Sequence, residues 1–296
     1  MLEAGRDAAQ VTLIALEGGR AAGGQSCLVE IRGPRLGQRI ALDRSDLVVG
    51  RDPGCEVPIA LDTVSRRHAR IAVRAGSAIV CDLGSTNGTF LNEQPLAAQE
   101  EFPLRSGDSI RVGGAIFRFL CGPHLEALYR EEIHRTLVVD GLTGAHTLRY
   151  FADFLEREMA RSQRHDRPLS LVTFDLDSFG RVNEDFGHLT GDAVLRQVAA
   201  LVASRVRRED CFARRADDAF AIVLPESDLD AARIFAERLR RLVADREFRA
   251  GGAPIPVTLS AGVAALSKEM QESAQFLKAA DARLFDAQRE GGNRVC

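Results

Sequence analysis

Two apolar, strand-forming runs, Cys211-Phe212-Ala213-Arg214 and Phe220-Ala221-Ile222-Val223-Leu224, flank the polar stretch Arg215-Ala216-Asp217-Asp218. No other segment constrains the fold as tightly, because runs so spaced read as a β-hairpin. Helix and strand patterns alternate around it from Asp140 onward. Residues 146–164 have helical periodicity, Leu169–Phe174 reads as a strand and 190–206 as a helix. After the hairpin come a helix at 228–245, a strand at Val257–Ala264 and a helix at 273–290. That order predicts a layered α/β domain.

The earlier half reads differently. Leu28-Val29-Glu30-Ile31, Leu47-Val48-Val49, Ala69–Val73, Ala78-Ile79-Val80 and Ala115–Phe119 are short strand-like runs. Asp52-Pro53-Gly54, Asn87-Gly88 and Ser106-Gly107-Asp108 punctuate them as turns. Many short strands with regular turns predict a β-sandwich. Residues 124–138 place Leu125, Leu128, Ile133 and Leu137 at roughly helical spacing, a short amphipathic helix between the two regions. Residues 1–25 form a tail in which Val11–Leu16 is a candidate strand.

A chain of 296 residues has room for two cores. A formal charge of −3 gives no global pull toward nucleic acid or membrane. The 39 basic residues include only two lysines, Lys268 and Lys278, so 37 are arginines and any single Arg is weak evidence of a site. No 18-residue apolar run and no secretory leader are visible. The six cysteines lack CxxC spacing and read as reduced thiols of a cytoplasmic protein, with no metal site among them.

The C-terminal region carries Asp140-Gly141-Leu142-Thr143-Gly144, Phe174-Asp175-Leu176-Asp177-Ser178-Phe179, the run Asn183–Asp192, Leu259-Ser260-Ala261-Gly262 and Ala280–Phe285. With the hairpin, these motifs resemble the GGDEF domain of diguanylate cyclases over about residues 138–296. The resemblance implies an α/β domain with a mostly antiparallel central sheet flanked by helices. It also aligns Ala216, Asp217, Asp218 and Ala219 with the Gly-Gly-Asp(or Glu)-Glu signature. In the family, two metal ions held by acidic residues bind the GTP phosphates and activate a 3′-hydroxyl. Asp175 and Asp218 stand at acidic positions, but Ala219 has lost its carboxylate. Ala216 and Asp217 replace glycines that let the backbone pass close to the nucleotide. The family's cationic positions are Gly180, Gln288 and Gly292 here. Phosphoryl transfer depends on positioning and charge stabilisation, so a degenerate domain without catalysis is expected. Asn183 and Asp192, which read guanine in the family, remain. Asp175, Asn183, Asp192 and Asp218 thus outline a vestigial nucleotide pocket.

Arg207-Arg208-Glu209-Asp210 forms an RxxD motif whose Asp lies six residues before Ala216. That is the spacing of the family's inhibitory site for cyclic di-GMP, and Arg238 stands where a family Arg completes it. Arg forks onto guanine or phosphate, and Asp accepts from guanine N1 and N2. Arg-rich helices also produce RxxD by chance.

In the N-terminal region, Gly50-Arg51, Ser65-Arg66-Arg67-His68 and Asp82–Asn92 follow in order. Together they resemble an FHA domain over about residues 25–121. A phosphate needs an Arg fork with hydroxyl and amide donors converging from loops at one end of a rigid sandwich. By resemblance, Arg51 and Ser65 hold phosphothreonine, Arg66 supports it, Thr86 shapes the pocket and Asn87 bonds the peptide backbone. Gly50 and His68 read as architectural.

The sequence therefore predicts a multidomain chain: a tail (1–25), an all-β FHA sandwich (26–121), a linker helix (122–139) and a degenerate GGDEF domain (140–296). The expected function is non-catalytic signalling without a cofactor. The sandwich would read a phosphothreonine on a partner, or on this chain's own tail at Thr12, in a Ser/Thr kinase pathway. Cyclic di-GMP would bind at Arg207, Asp210 and Arg238. One alternative is a scaffold whose C-terminal domain only forms a homodimer or docks a partner; residual cyclase activity is another. Neither nucleic acid nor membrane is an expected partner.

Overall fold

The computed structural model describes residues 26–42, 46–74, 77–250 and 253–296. The candidate strand at Val11–Leu16 and Thr12 lie outside the described residues. The short alternating runs fold as β1 (Ser26–Arg32), β2 (Arg39–Ala41), β3 (Asp46–Gly50), β4 (Val57–Pro58), β5 (Ala69–Arg74) and β6 (Ser77–Asp82). They continue as β7 (Thr89–Leu91), β8 (Gln94–Pro95), β9 (Glu101–Pro103), β10 (Ser109–Val112) and β11 (Ala115–Cys121). One sheet has the order β2-β1-β11-β10-β7-β8 and the other β4-β3-β5-β6-β9. Their inner faces meet through Leu28, Val49, Ile59, Ile71, Val80, Ile110, Phe117 and Phe119, a dry core of aligned side chains.

The segment read as a linker helix is α1 (Leu125–Val138), and it belongs to the sandwich. Leu125, Leu128, Tyr129 and Ile133 cover Cys27, Val29, Ile31, Ile116 and Leu120 on the outer face of β1 and β11. β1 is thus buried on both faces. The Tyr129 hydroxyl donates to the Gly37 carbonyl at 3.1 Å, and Arg39 pairs with Glu126. Docked along its apolar stripe, α1 packs on the sandwich and leads into the C-terminal domain.

The C-terminal domain comprises α2 (Leu148–His165), β12 (Leu169–Leu176), α3 (Phe179–Phe186), α4 (His188–Ala203), β13 (Cys211–Arg214) and β14 (Ala219–Pro225). It continues with α5 (Leu229–Ala244), β15 (Phe248–Ala250), β16 (Ala253–Ile255), β17 (Leu259–Ala265) and α6 (Ser273–Arg289). The sheet order is β13-β14-β12-β17, antiparallel throughout. One face packs on α4 and α5 through Val194, Val198, Ala236, Leu239 and Val243. The other packs on α2 and α6 through Phe151, Leu155, Phe276 and Ala280. Phe174, Phe212 and Phe220 stack with centroids 5.2–6.3 Å apart and lock the three strands together. At Gly262 a Cβ would lie 2.1 Å from the Leu284 amide nitrogen, so α6 crosses β17 at bare backbone.

Helices α2 and α5 start on side-chain N-caps. Thr147 Oγ1 accepts from the Tyr150 amide and Asp228 from the Ala231 amide. In the C-terminal domain three elements were not foreseen. α3 forms within the Asn183 motif, and Phe248–Ile255 contains the β15–β16 hairpin. α4 also starts at His188 and stops at Ala203, earlier than the expected 190–206. Among the described residues no helix is long and apolar enough to cross a membrane.

Candidate functional site

Three loops converge at one end of the sandwich. Arg51 follows β3, Ser65 lies between β4 and β5, and Thr86 and Asn87 lie between β6 and β7. The Arg51 amide donates to the Ser65 carbonyl at 2.9 Å. Ser65 Oγ accepts the Thr86 amide at 3.0 Å and lies 3.4 Å from Thr86 Oγ1. A Cβ at Gly50 would sit 2.2 Å from the Arg66 carbonyl oxygen, which is why the first loop passes there only as glycine. Buried His68 ties the second and third loops. Its Nδ1 accepts from the Ser65 amide at 3.0 Å, which leaves Nε2–H to donate to the Gly88 carbonyl at 3.1 Å. Burial holds His68 below its ordinary pKa, against the Gly88 bond and the Asp82 charge, so the ring is neutral.

Asp82 shapes the third loop from beneath. Its carboxylate accepts from the Gly84 and Ser85 amides and from the Ser85 and Thr89 hydroxyls at 2.6–3.0 Å. Burial raises its pKa, but the Ser85 and Thr89 bonds and the two amides outweigh it, and the group stays below its ordinary value. Arg51, half-exposed, pairs at 3.1 Å with fully exposed Asp62. Such a pair is weak and easily exchanged for a stronger anion. Arg51, Ser65 and Thr86 are therefore brought together around an accessible guanidinium. Asn87 gives one Nδ2 hydrogen to the Thr63 carbonyl at 2.8 Å, bracing a neighbouring loop, and keeps a second N–H and its Oδ1. Arg66 has an exposed side chain, and what it gives the site is its carbonyl, which takes the Asp52 amide and the Cys55 thiol. Asp62, Thr63 and Asp82 were not singled out. Only the loop contacts reveal them.

In the C-terminal domain, Asp175 on β12 pairs in register with Ala219 on β14. The turn between β13 and β14 closes with Arg215 N–H donating to the Ala219 carbonyl at 2.7 Å. None of residues 214–219 has a positive φ, so this turn makes no demand for glycine. Gln288 Nε2 donates to Asp175 Oδ2 at 3.0 Å, and Asp175 Oδ1 is buried without a partner. Burial and the neighbouring Asp218 charge raise the Asp175 pKa, and burial raises that of Asp218. Two carboxylates facing a methyl group and an amide do not fit a two-cation site. Among the described residues no three His, Cys, Asp or Glu side chains converge for a metal ion. Arg215 is tied to Asp281 by two bonds of 2.6 and 3.0 Å, so the charge it brings near Asp175 is already paired with a carboxylate.

The remaining vestigial-pocket residues lie on α3 and α4. Asn183 Oδ1 fits against Gly191, where a Cβ would lie 2.0 Å away. Asp192 is already engaged: both its oxygens accept from Arg32 of β1, at 2.6 and 2.9 Å. Arg32 is 160 residues away in sequence and carried no signal.

Of the RxxD group, Asp210 is buried and Oδ2 accepts the Arg207 amide at 2.8 Å. Its Oδ1 is buried without a partner, and burial raises its pKa. Arg238 lies on α5 and lines a cleft of about 300 Å³ with Arg205, Phe235, Leu239 and Leu242. Among the described residues no hydrogen bond or ion pair joins Arg238 to Arg207 or Asp210. Arg205, on the rim of the same cleft, was not foreseen.

The family model described as "Diguanylate cyclase, GGDEF domain" matches residues 137–294, and that of the FHA domain matches residues 47–113. Diguanylate cyclase DgcP of Pseudomonas aeruginosa is 37% identical over 165 residues, 56% of this chain and 24% of that protein. Response regulator PleD of Caulobacter vibrioides is 36% identical over 160 residues, 53% of this chain and 35% of that protein. The chain thus spans between a quarter and a little over a third of these curated relatives. The crystal structure of the coiled coil and GGDEF domain of DgcB from Caulobacter crescentus, in complex with c-di-GMP, is similar with a TM-score of 0.55. It is 28% identical, over 57% of this chain and 90% of that one.

Proposed function

Because this chain belongs to the diguanylate cyclase GGDEF family and carries an FHA domain ahead of that domain, we propose that it is a signalling protein without cyclase activity. In this reading the FHA domain binds a phosphothreonine peptide through Arg51, Ser65 and Thr86, with Arg66 and Asn87 as supports. The GGDEF domain binds cyclic di-GMP through Arg207, Asp210 and Arg238. The observation that carries the non-catalytic part is the pairing of Asp175 with Ala219. Across the ladder from the strand carboxylate stands a methyl, and Gln288 occupies one carboxylate oxygen. A phosphoryl transfer site needs dense positive charge around the phosphates. Here Gly180 and Gly292 supply none, and Arg215 is spent on Asp281.

The ligand reading is supported by the unpartnered Asp210 Oδ1 and by the solved relative in complex with c-di-GMP. Titration calorimetry of the full chain with cyclic di-GMP tests it. Binding lost in Arg207→Ala and Asp210→Ala is the expected result, and no binding in the wild type overturns it. A scaffold reading is favoured by one feature: Asp210 Oδ2 serves its own turn, and nothing ties Arg238 to it. That reading takes over if no heat and no melting shift appear with the dinucleotide.

A further inference from the structure

β1 leaves its ladder with a register shift between Glu30 and Arg32. The turn that follows is built on buried Glu30: Oε1 accepts the Arg35 amide at 2.7 Å, and the Glu30 carbonyl accepts the Gly37 amide at 2.7 Å. Bulges re-aim side chains at strand ends, and here the side chain is Arg32. Its guanidinium reaches Asp192 on α4 with both terminal nitrogens, at 2.6 and 2.9 Å. The two side chains are 25% and 13% exposed. Beside them Glu93, on the β7–β8 turn, lies 3.5 Å from Arg111 and 3.6 Å from Arg196, one helical turn beyond Asp192. Gly141 packs on the Ile31 carbonyl, where a Cβ would lie 2.5 Å away. The FHA domain is thus seated on α4 through a fork and a second ion cluster, and it meets the turn at Gly141 through a backbone contact.

A carboxylate gripped by two parallel N–H donors has one close chemical parallel. Guanine offers N1–H and N2–H side by side, as the guanidinium fork does. We propose that Arg32 is a built-in surrogate for a guanine base, so that entry of a guanine nucleotide at Asp192 and seating of the FHA domain on α4 exclude each other. The inference rests on the reading of Asp192 as part of a nucleotide pocket. Tethering gives Arg32 an effective concentration of roughly millimolar order, enough to compete with a free nucleotide. Loss of catalysis does not remove this competition, because base recognition and phosphate chemistry use different residues.

The test is calorimetric titration of the full chain with GTP and Mg²⁺ at low salt, with X-ray scattering on the same samples. R32A is expected to bind GTP at least tenfold tighter than the wild type and to show a larger radius of gyration. R32K, which keeps the charge without the fork, should fall between. The gain should vanish in R32A/D192N and be absent with ATP, whose adenine lacks the two-donor edge. Domain release in R32A without gain in GTP affinity overturns the surrogate role and the pocket reading of Asp192 with it. Neither gain nor release overturns the seating itself and leaves the pocket reading standing. A gain that survives D192N, or appears equally with ATP, overturns the inference as well.

Discussion

Ser65 donates its backbone N–H to His68 Nδ1, and that one bond sets the state of the imidazole. With Nδ1 an acceptor, Nε2 carries the proton and donates to Gly88, so one neutral ring clamps two loops of the sandwich. Protonating Nδ1 would break the Ser65 bond.

Stability should therefore depend on pH through His68 with a defined sign. Burial holds the folded pKa below the ordinary 6.5, so the unfolded chain binds more protons below that pH. This contribution is full above about pH 6.5 and declines as pH falls toward the folded value. His68→Gln, which cannot titrate, should cost about 1–3 kcal/mol at pH 8. The melting-temperature gap between wild type and variant should narrow from pH 7 to pH 5. A gap that stays constant or widens would show that His68 does not titrate in this way.

Arg51→Ala should lower affinity for phosphothreonine peptides by tenfold or more, since charge-assisted bonds contribute about 1.5–3 kcal/mol. Asp62→Asn should raise affinity slightly, because it frees Arg51 from an exposed, solvent-screened pair that a phosphate would otherwise displace. Fluorescence anisotropy with labelled phosphorylated and unphosphorylated peptides measures both. Unchanged binding in Arg51→Ala would remove this pocket from the phosphate reading.

No cyclic di-GMP should form from GTP with Mg²⁺ or Mn²⁺. Ala219→Glu should not restore turnover, because Gly180, Gln288 and Gly292 still lack the cations, and each lost electrostatic group costs on the order of 10²–10³ in rate. Chromatography of overnight reactions checks this. Product that disappears in Asp218→Ala would refute it.

Arg207→Ala and Asp210→Ala should each weaken cyclic di-GMP binding at least tenfold, while Asn183→Ala leaves it within twofold. The two sites lie on different elements: Asn183 is on α3, and Arg207 and Asp210 lie in the loop that ends at β13. Calorimetry across the three variants separates them. Loss in Asn183→Ala alone would place the ligand at Asn183 instead.

Gly262→Ala should destabilise the C-terminal domain by about 2–3 kcal/mol, as overpacking does. Its new Cβ would meet the Leu284 amide nitrogen and the Ala280 carbonyl, both backbone atoms that cannot swing aside. Chemical denaturation reads the shift, and a change below about 0.5 kcal/mol would mean that α6 moves freely over β17.

Much of the fold was legible because it is written at short range. The hairpin around residues 211–225, the strands near 47–49 and 69–73, and the helices at 146–164 and 228–245 announce themselves by period and turn residues. α3 did not, since eight residues with Gly180 in the first turn give little periodic signal. The β15–β16 pair was hidden for a similar reason: three-residue strands carry almost no alternation.

The local sequence determined that Ala219 carries no carboxylate, that Arg51, Ser65 and Thr86 occupy loops of one sandwich, and that an RxxD stands before the hairpin. Tertiary structure alone decided who meets whom. It packed the linker helix onto the sandwich, bonded Asn87 to Thr63, folded Asp210 onto its own turn and brought Arg32 across 160 residues to Asp192. The physical reason is range. Period and turn chemistry act within a few residues, whereas an ion pair between domains depends on where two independently folded cores come to rest. In a chain of 37 arginines, composition cannot say which one arrives.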